Sequence, residues 1–302
     1  MENTMQEQRF GMELEFTGIT RSKAAKVIAE YLGSVSQYVG SGYDTYEVKT
    51  ADGRRWKVMS DASIHPENEE GGSATNEYKC EFVTPICTYE DIPAIQEIVR
   101  QLRHAKARVN ESCGIHVHID ASTHNAKSLK NLANIMASKE TLLFEALAVN
   151  RERAEKWCKK VDQRLVEEIH KKKPHDMAKI KDIWYNGNDE SYMHYSSTRY
   201  HALNLHAVWQ KGTVEFRMFN STLHAGQVKS YIQLCLAISY QAKKQKGTAS
   251  RETVSTNHKY TFRTWLLRLG MIGDEFKTAR GFLLGNLSGD IAWHDKENRR
   301  TA

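Results

Sequence analysis

The segment that most constrains this chain is FGMELEF, residues 10–16, in which Glu13 and Glu15 alternate with Phe10, Met12, Leu14 and Phe16. In extended backbone successive side chains point to opposite faces, so both carboxylates fall on one side of a strand and the four apolar residues on the other. The pattern recurs. In GIHVHID (114–120), His116, His118 and Asp120 share a face opposite Ile115, Val117 and Ile119. In TVEFRMF (213–219), Glu215 and Arg217 oppose Val214, Phe216 and Met218, and YKCEFVTP (78–85) adds Glu81 with Cys80 and Phe82 turned away. One amphipathic strand with a wet face is ordinary, and a lone glutamate pair fits a solvent-exposed edge. Four strands that carry carboxylate or imidazole at alternate positions, rather than lysine, serine or threonine, describe a sheet with a chemical face.

Helical patterns surround these strands. Residues 22–32 read as a helix with Ser22 as N-cap, 45–59 as a hairpin turning at ADG, and 91–107 as a helix with Ile92, Ile95, Ile98, Val99 and Leu102 on one face. Pro93 falls near its first turn, where a missing N–H costs little. From about 125 to 197 the pattern is helical, first with an apolar stripe of Leu129, Leu132, Met136, Leu143 and Leu147 and then heavily charged, which suggests a helical insertion that could act as a lid. Strands return at YHALNLHAV and GTVEFRMFN, and helices near 226–242, 258–269 and 274–285 follow. No repeat or low-complexity linker divides the chain, so the reading is one α+β domain over residues 1–302.

Composition narrows the function classes. The chain has 302 residues, 40% hydrophobic and 26% charged, which is ordinary globular protein with material for a sizeable core. No leader pattern opens it, and no stretch approaches the roughly 18 apolar residues of a membrane span, so a cytoplasmic protein without membrane contact is expected. The net charge of +6 favours anionic partners without defining a nucleic-acid binder. Lys171–Lys173 and Lys243, Lys244 and Lys246 flank helical patterns and read as solvated helix ends. The five cysteines are odd in number and form no CxxC pair, which suggests reduced thiols rather than a disulfide framework or zinc ribbon. Cys113, next to Gly114, reads as a small buried apolar residue, not a nucleophile.

Carboxylates gathered on one face repel one another unless a cation sits between them. Hard oxygen ligands with imidazole suit Mg²⁺ or Mn²⁺, and the absence of thiolate from the motif faces argues against zinc. Magnesium usually keeps water or substrate phosphate in its shell, so such a cluster near an arginine points toward nucleotide chemistry.

The ordered set GMELE, the strand glutamate of CEFVTP, CGIHVH and GTVEFR resembles the amidoligase family, a branch of the glutamine synthetase and glutamate-cysteine ligase superfamily. The resemblance spans residues 9–222, with RYHALNL in keeping, and the motifs are specific as an ordered set rather than singly. It implies a curved, mostly antiparallel sheet with the active site on its concave face and helices outside. It also implies ATP-dependent amide or isopeptide bond formation through an acyl phosphate, from a carboxylate substrate and an amine substrate, with peptide or modified nucleic acid among the acceptors. By position Glu13, Glu15, Glu81, His116 and Glu215 would be metal ligands, and His118 and Arg199 would contact ATP phosphate. Asn204 would contact substrate. Arg217 would neutralise the transferring phosphoryl group or hold the substrate carboxylate, a task suited to a bidentate guanidinium. Asp61 would orient a metal water or deprotonate the amine, and equally fits a turn carboxylate capping Ser63. No GxxxxGK[ST] phosphate loop is present. A phosphotransferase of the same fold, a metal-dependent hydrolase and a binding module without catalysis are the other readings; the last is disfavoured because every motif keeps its charged residues.

Overall fold

The computed structural model describes residues 4–292. They form two compact units, one of residues 6–119 with 219–229, the other containing residues 120–218 and 230–292. Strands and helices are combined in a mixed α+β architecture in which every strand ladder described here is antiparallel.

The first unit contains β1 (Phe10–Phe16), α1 (Arg21–Tyr31), β2 (Ser36–Gly40), β3 (Thr45–Lys49), β4 (Arg55–Met59), β5 (Cys80–Val83), α2 (Ile92–His104) and β6 (Gly114–Asp120). The strands lie in the order β2-β3-β4-β5-β1-β6. Met12, Leu14 and Phe16 of β1, Trp56 and Val58 of β4, Phe82 of β5 and Ile115 and Val117 of β6 form the apolar face. The Trp56 and Phe82 rings stack with centroids 6.0 Å apart. Ala24, Ala25 and Ile28 of α1 and Ile95, Ile98, Val99 and Leu102 of α2 are also fully buried, and each large aliphatic side chain so buried contributes roughly 1.5–3 kcal/mol.

The hairpin turning at ADG and the α2 apolar face are as read from the sequence, whereas the start of α1 is not. Thr20, rather than Ser22, caps that helix, its hydroxyl accepting the Lys23 N–H. The helix opens at Arg21 because that guanidinium is buried and committed, donating to the Asn76 and Lys79 carbonyls and pairing with Asp44. Gly18 ends the extension of β1 at φ +86°, where a Cβ would stand 2.6 Å from the Lys106 carbonyl oxygen.

The second unit contains α3 (Ala126–Ala146), α4 (Arg151–Lys156), α5 (Gln163–Lys172), α6 (Met177–Trp184), β7 (Leu203–Asn204), α7 (His206–Gln210), α9 (His258–Arg268) and α10 (Lys277–Leu284), with most of β8 (Thr213–Asn220) and of α8 (Ala225–Lys244). The helical stretch from 125 to 197 is thus four helices, with Asn150, Asp162 and Asp176 each capping a new start through its side chain. The stripe Leu129, Leu132, Met136, Leu143 and Leu147 is buried. The strand expected over YHALNLHAV shrinks to Leu203–Asn204, which pairs with Phe216 and Glu215. Beyond it the chain coils into α7, because His206 is drawn inward to the Tyr185 hydroxyl and the Met193 carbonyl.

All five cysteines are free and buried, and burial pushes the thiols of Cys80, Cys87, Cys158 and Cys235 up. Among the described residues no helix is long and apolar enough to cross a membrane.

Candidate functional site

Register assembles the acidic face of the first unit. β1 lies between β5 and β6, pairing Glu15 with Glu81 on one side and Glu13 with His116 on the other. Directly opposed residues of an antiparallel pair project to the same face, about 4.5–5.5 Å apart at Cβ. Alternation along three strands therefore becomes one patch of Glu13, Glu15, Glu81 and His116, with His118 two residues along β6. Met59 pairs with Glu81, so Asp61, two residues past Met59, extends the patch from the end of β4.

The side chains converge accordingly. Ligand atoms of Glu13, Glu81 and His116 lie within 4.8 Å of one another, and so do those of Glu15, Asp61 and Glu81, so the two trios share Glu81. Glu13 is held between the imidazoles, with its Oε2 3.0 Å from His116 Nδ1 and its Oε1 3.2 Å from His118 Nε2. His116 Nε2 lies 4.0 Å from Glu15 Oε1. Glu15 Oε2 accepts the Gly114 N–H at 2.6 Å, a bond that fixes the carboxylate. Glu15, Glu81, His116 and His118 are buried, while Asp61 is half-buried.

Asp61 combines both of its sequence readings. Its Oδ1 accepts the Ser63 N–H and hydroxyl, as a turn-capping carboxylate does, while the same side chain belongs to an oxygen trio. Its place among candidate ligands was hidden in the sequence, because it depends on the pairing of Met59 with Glu81.

In the second unit β7 and β8 bring Asn204, Glu215 and Arg217 together. The Glu215 carboxylate accepts from Asn204 Nδ2 at 2.6 Å and is ion-paired with Arg217 Nη1. Arg217 Nε donates to the Trp157 carbonyl at 3.4 Å, and its guanidinium lies 6.0 Å from the Tyr200 ring centroid. Arg199 approaches the same ring at 5.8 Å and donates to the His194 carbonyl at 3.0 Å. Asn204, Glu215 and Arg217 are buried; Arg199 is half-buried. Trp157 and Tyr200, which shape the surroundings of Arg217, were not singled out from the sequence: Trp157 lies in no alternating motif, and Tyr200 stands at the start of YHALNLHAV without a chemical partner in the pattern.

An antiparallel sheet thus gathers buried carboxylates and imidazoles on one face, and the chain also buries an arginine–carboxylate pair, the donor types that could hold a hard cation and an anionic group. Residues 6–239 match the family described as "Putative amidoligase enzyme", and the chain belongs to that family. A bifunctional glutathione synthetase from Pasteurella multocida is similar in structure, with 13% sequence identity and a TM-score of 0.38 over 92% of this chain and 47% of that one. The chain spans less than half the length of that protein. No curated protein matches the chain.

Proposed function

We propose that this protein is an ATP-dependent carboxylate–amine ligase of glutamine-synthetase-like fold that forms an amide or isopeptide bond through an acyl phosphate. The carrying observation is the pair of overlapping trios that share Glu81. Their donors suit Mg²⁺ or Mn²⁺: carboxylate oxygens with one imidazole nitrogen and no thiolate, partly buried, with Glu15 and Asp61 each oriented by a backbone N–H bond to one oxygen.

Glu13, Glu81 and His116 would hold one ion and Glu15 and Glu81 a second, with Asp61 beside that second position and left to act as a base, and Glu215 is assigned as a ligand from its family position. Bound Mg²⁺ or Mn²⁺ would supply charge neutralisation and alignment of the ATP phosphates. The remaining roles fall to the chain. His118 orients Glu13 and offers its ring to phosphate. Arg217, aligned by Glu215 and by the Trp157 carbonyl, neutralises the transferring group or holds the substrate carboxylate, and Arg199 and Asn204 contact phosphate and substrate. In the first half-reaction a carboxylate oxygen bonds to the γ-phosphorus as ADP leaves. In the second the amine nitrogen bonds to the acyl carbon, phosphate departs, and the amine proton passes to a base, for which Asp61 is the candidate.

The test is stoichiometric. ADP release is measured with Mg²⁺ and ATP over a panel of acids and amines that includes glutamate, peptides and modified nucleic acid. A ligase releases one ADP and one phosphate per amide, only when acid and amine are both present. ADP formation at full rate with a single acceptor would replace this reading with a phosphotransferase, and turnover without ATP would replace it with a hydrolase.

A further inference from the structure

Glu140 of α3 is a buried carboxylate outside the candidate metal centre. Its Oε2 accepts the Val161 N–H at 2.7 Å, while its Oε1 is buried without a hydrogen-bond partner. Burial raises its carboxyl to about 7, opposed by the Val161 amide and the Lys160 charge. Packing alone does not account for such a group, since leucine would fill the space without the desolvation cost.

What Glu140 holds is the end of a short strap, residues 157–161. In its middle, the Lys159 N–H donates to the Tyr200 carbonyl at 3.0 Å and the Lys159 carbonyl accepts the Ala202 N–H at 2.8 Å. His201 Nδ1 donates to the Lys160 carbonyl at 2.9 Å. The other end of the strap meets Arg217: the Trp157 carbonyl accepts from Nε, and the Trp157 ring stands edge-on to Tyr200 at 5.3 Å, the ring that the guanidinium approaches. The backbone repeats the link, since the Arg217 N–H donates to the Ala202 carbonyl at 2.9 Å.

We propose that Glu140 is a positioning residue, clamping the Val161 end of a strap whose Trp157 end seats the Arg217 guanidinium. Its catalytic meaning rests on Arg217 acting as the cation of the proposed ligase. The Lys160 charge opposes the rise at the Glu140 carboxyl, and the Cys158 thiol of the strap lies within the electrostatic reach of Arg153, Arg217 and Glu140.

The full-length protein labelled with ¹⁵N-arginine tests this without any assumption about substrate. The Arg217 Nε–H resonance, assigned by its absence in Arg217→Lys, is followed in Glu140→Leu and Glu140→Gln, together with hydrogen exchange of the strap amides. Glu140→Leu, which removes the acceptor, is expected to speed strap exchange at least tenfold and to shift or broaden the Arg217 signal. Glu140→Gln, which keeps an acceptor for Val161, restores both. Should the leucine variant not fold, Glu140→Met removes the acceptor at similar length and is read in the same way. An Arg217 signal and strap protection unchanged in the acceptor-less variant would overturn the proposal. ADP release in the same variants separates the two ideas: a strap that loosens in a protein with no acid- and amine-dependent turnover leaves the clamp standing and removes the ligase.

Discussion

Replacing Glu81 by glutamine should make the metal-free protein more stable and the metal-loaded protein relatively less so. Glu81 is buried, belongs to both trios, and pairs across the ladder with Glu15, itself buried. Ligand atoms within a trio lie no more than 4.8 Å apart, and two unit charges at that limit repel by about 3.5 kcal/mol at an effective dielectric constant of 20. The imidazoles beside Glu13 and water at half-buried Asp61 offset part of this, which leaves about 2 kcal/mol to be relieved in the variant. At roughly 2–4 °C per kcal/mol, Tm in EDTA should rise by about 4–8 °C. Saturating Mg²⁺ at 100 times its Kd stabilises the wild type by about 2.7 kcal/mol. The variant, short of the shared ligand, should gain little, so the order of the two melting curves inverts between EDTA and Mg²⁺. Differential scanning calorimetry of both proteins in both conditions decides it. A variant that melts lower in EDTA, or gains as much from Mg²⁺ as the wild type, would refute a cation-centred acidic face.

Glu13→Gln and Glu215→Gln should each abolish acid- and amine-dependent ADP release while far-UV circular dichroism stays unchanged, because each removes ligand charge without opening the core; retained turnover in either would defeat the assignment. His124 is buried between the Ser128 and Ser239 hydroxyls, and burial holds its imidazole down to about 3. Its folded value lies below the unfolded one, so its stability contribution is present above pH 6.5 and is lost as pH falls toward 3, by about 2–3 kcal/mol between pH 7 and 4.5. Glu140 has the opposite sign: its raised carboxyl contributes fully below about pH 4.5, and that contribution declines as pH rises through 7. Urea midpoints across this range should therefore climb more steeply with pH in Glu140→Gln than in the wild type, and parallel slopes would show that Glu140 is no different from an exposed carboxylate. Inserting one residue within β5, between Glu81 and Phe82, should abolish Mg²⁺ stabilisation, whereas a glycine inserted in the exposed Glu69–Gly71 turn should preserve it; calorimetric Mg²⁺ titration of both variants makes the comparison.

The parts of this molecule that were legible from sequence are those specified by local periodicity. Phe10–Phe16 and Gly114–Asp120 are strands over the same residues that the alternation marks, and the buried face of α2 is the one its apolar spacing gives. Glu13, Glu15, Glu81 and His116 were named from alternation and motif order, and they share one patch. Legibility ended where distant segments decide the outcome. Thr20 displaces Ser22 as a cap because Arg21 is anchored by Asp44, Asn76 and Lys79, far along the chain. Residues 205–210 alternate like a strand yet coil, because His206 has partners at Tyr185 and Met193. The seating of Arg217 against Trp157 and Tyr200 depends on a strap more than 50 residues away in sequence.

The acidic patch is a consequence of packing on the opposite side of the sheet. Val58, Phe82, Leu14 and Ile115 stand in register across β4, β5, β1 and β6 and are buried almost completely. The next row holds Val83, Glu13 and His116, and the row beyond it on the other side pairs Met59, Glu81 and Glu15. A one-residue slip between any two of these strands would turn an entire side-chain set to the wrong face. It would bury a carboxylate where Leu14 or Phe82 now sits and expose an aromatic ring in exchange, at a cost of several kcal/mol. The apolar rows, led by the stacked Trp56 and Phe82, thus fix a register that the carboxylates would not choose by themselves, since like charges placed directly opposite are destabilising. A fold that uses its hydrophobic energy to hold Glu15 against Glu81 gains nothing from that pairing until a cation joins them, which is why metal binding is the economical explanation of the whole arrangement.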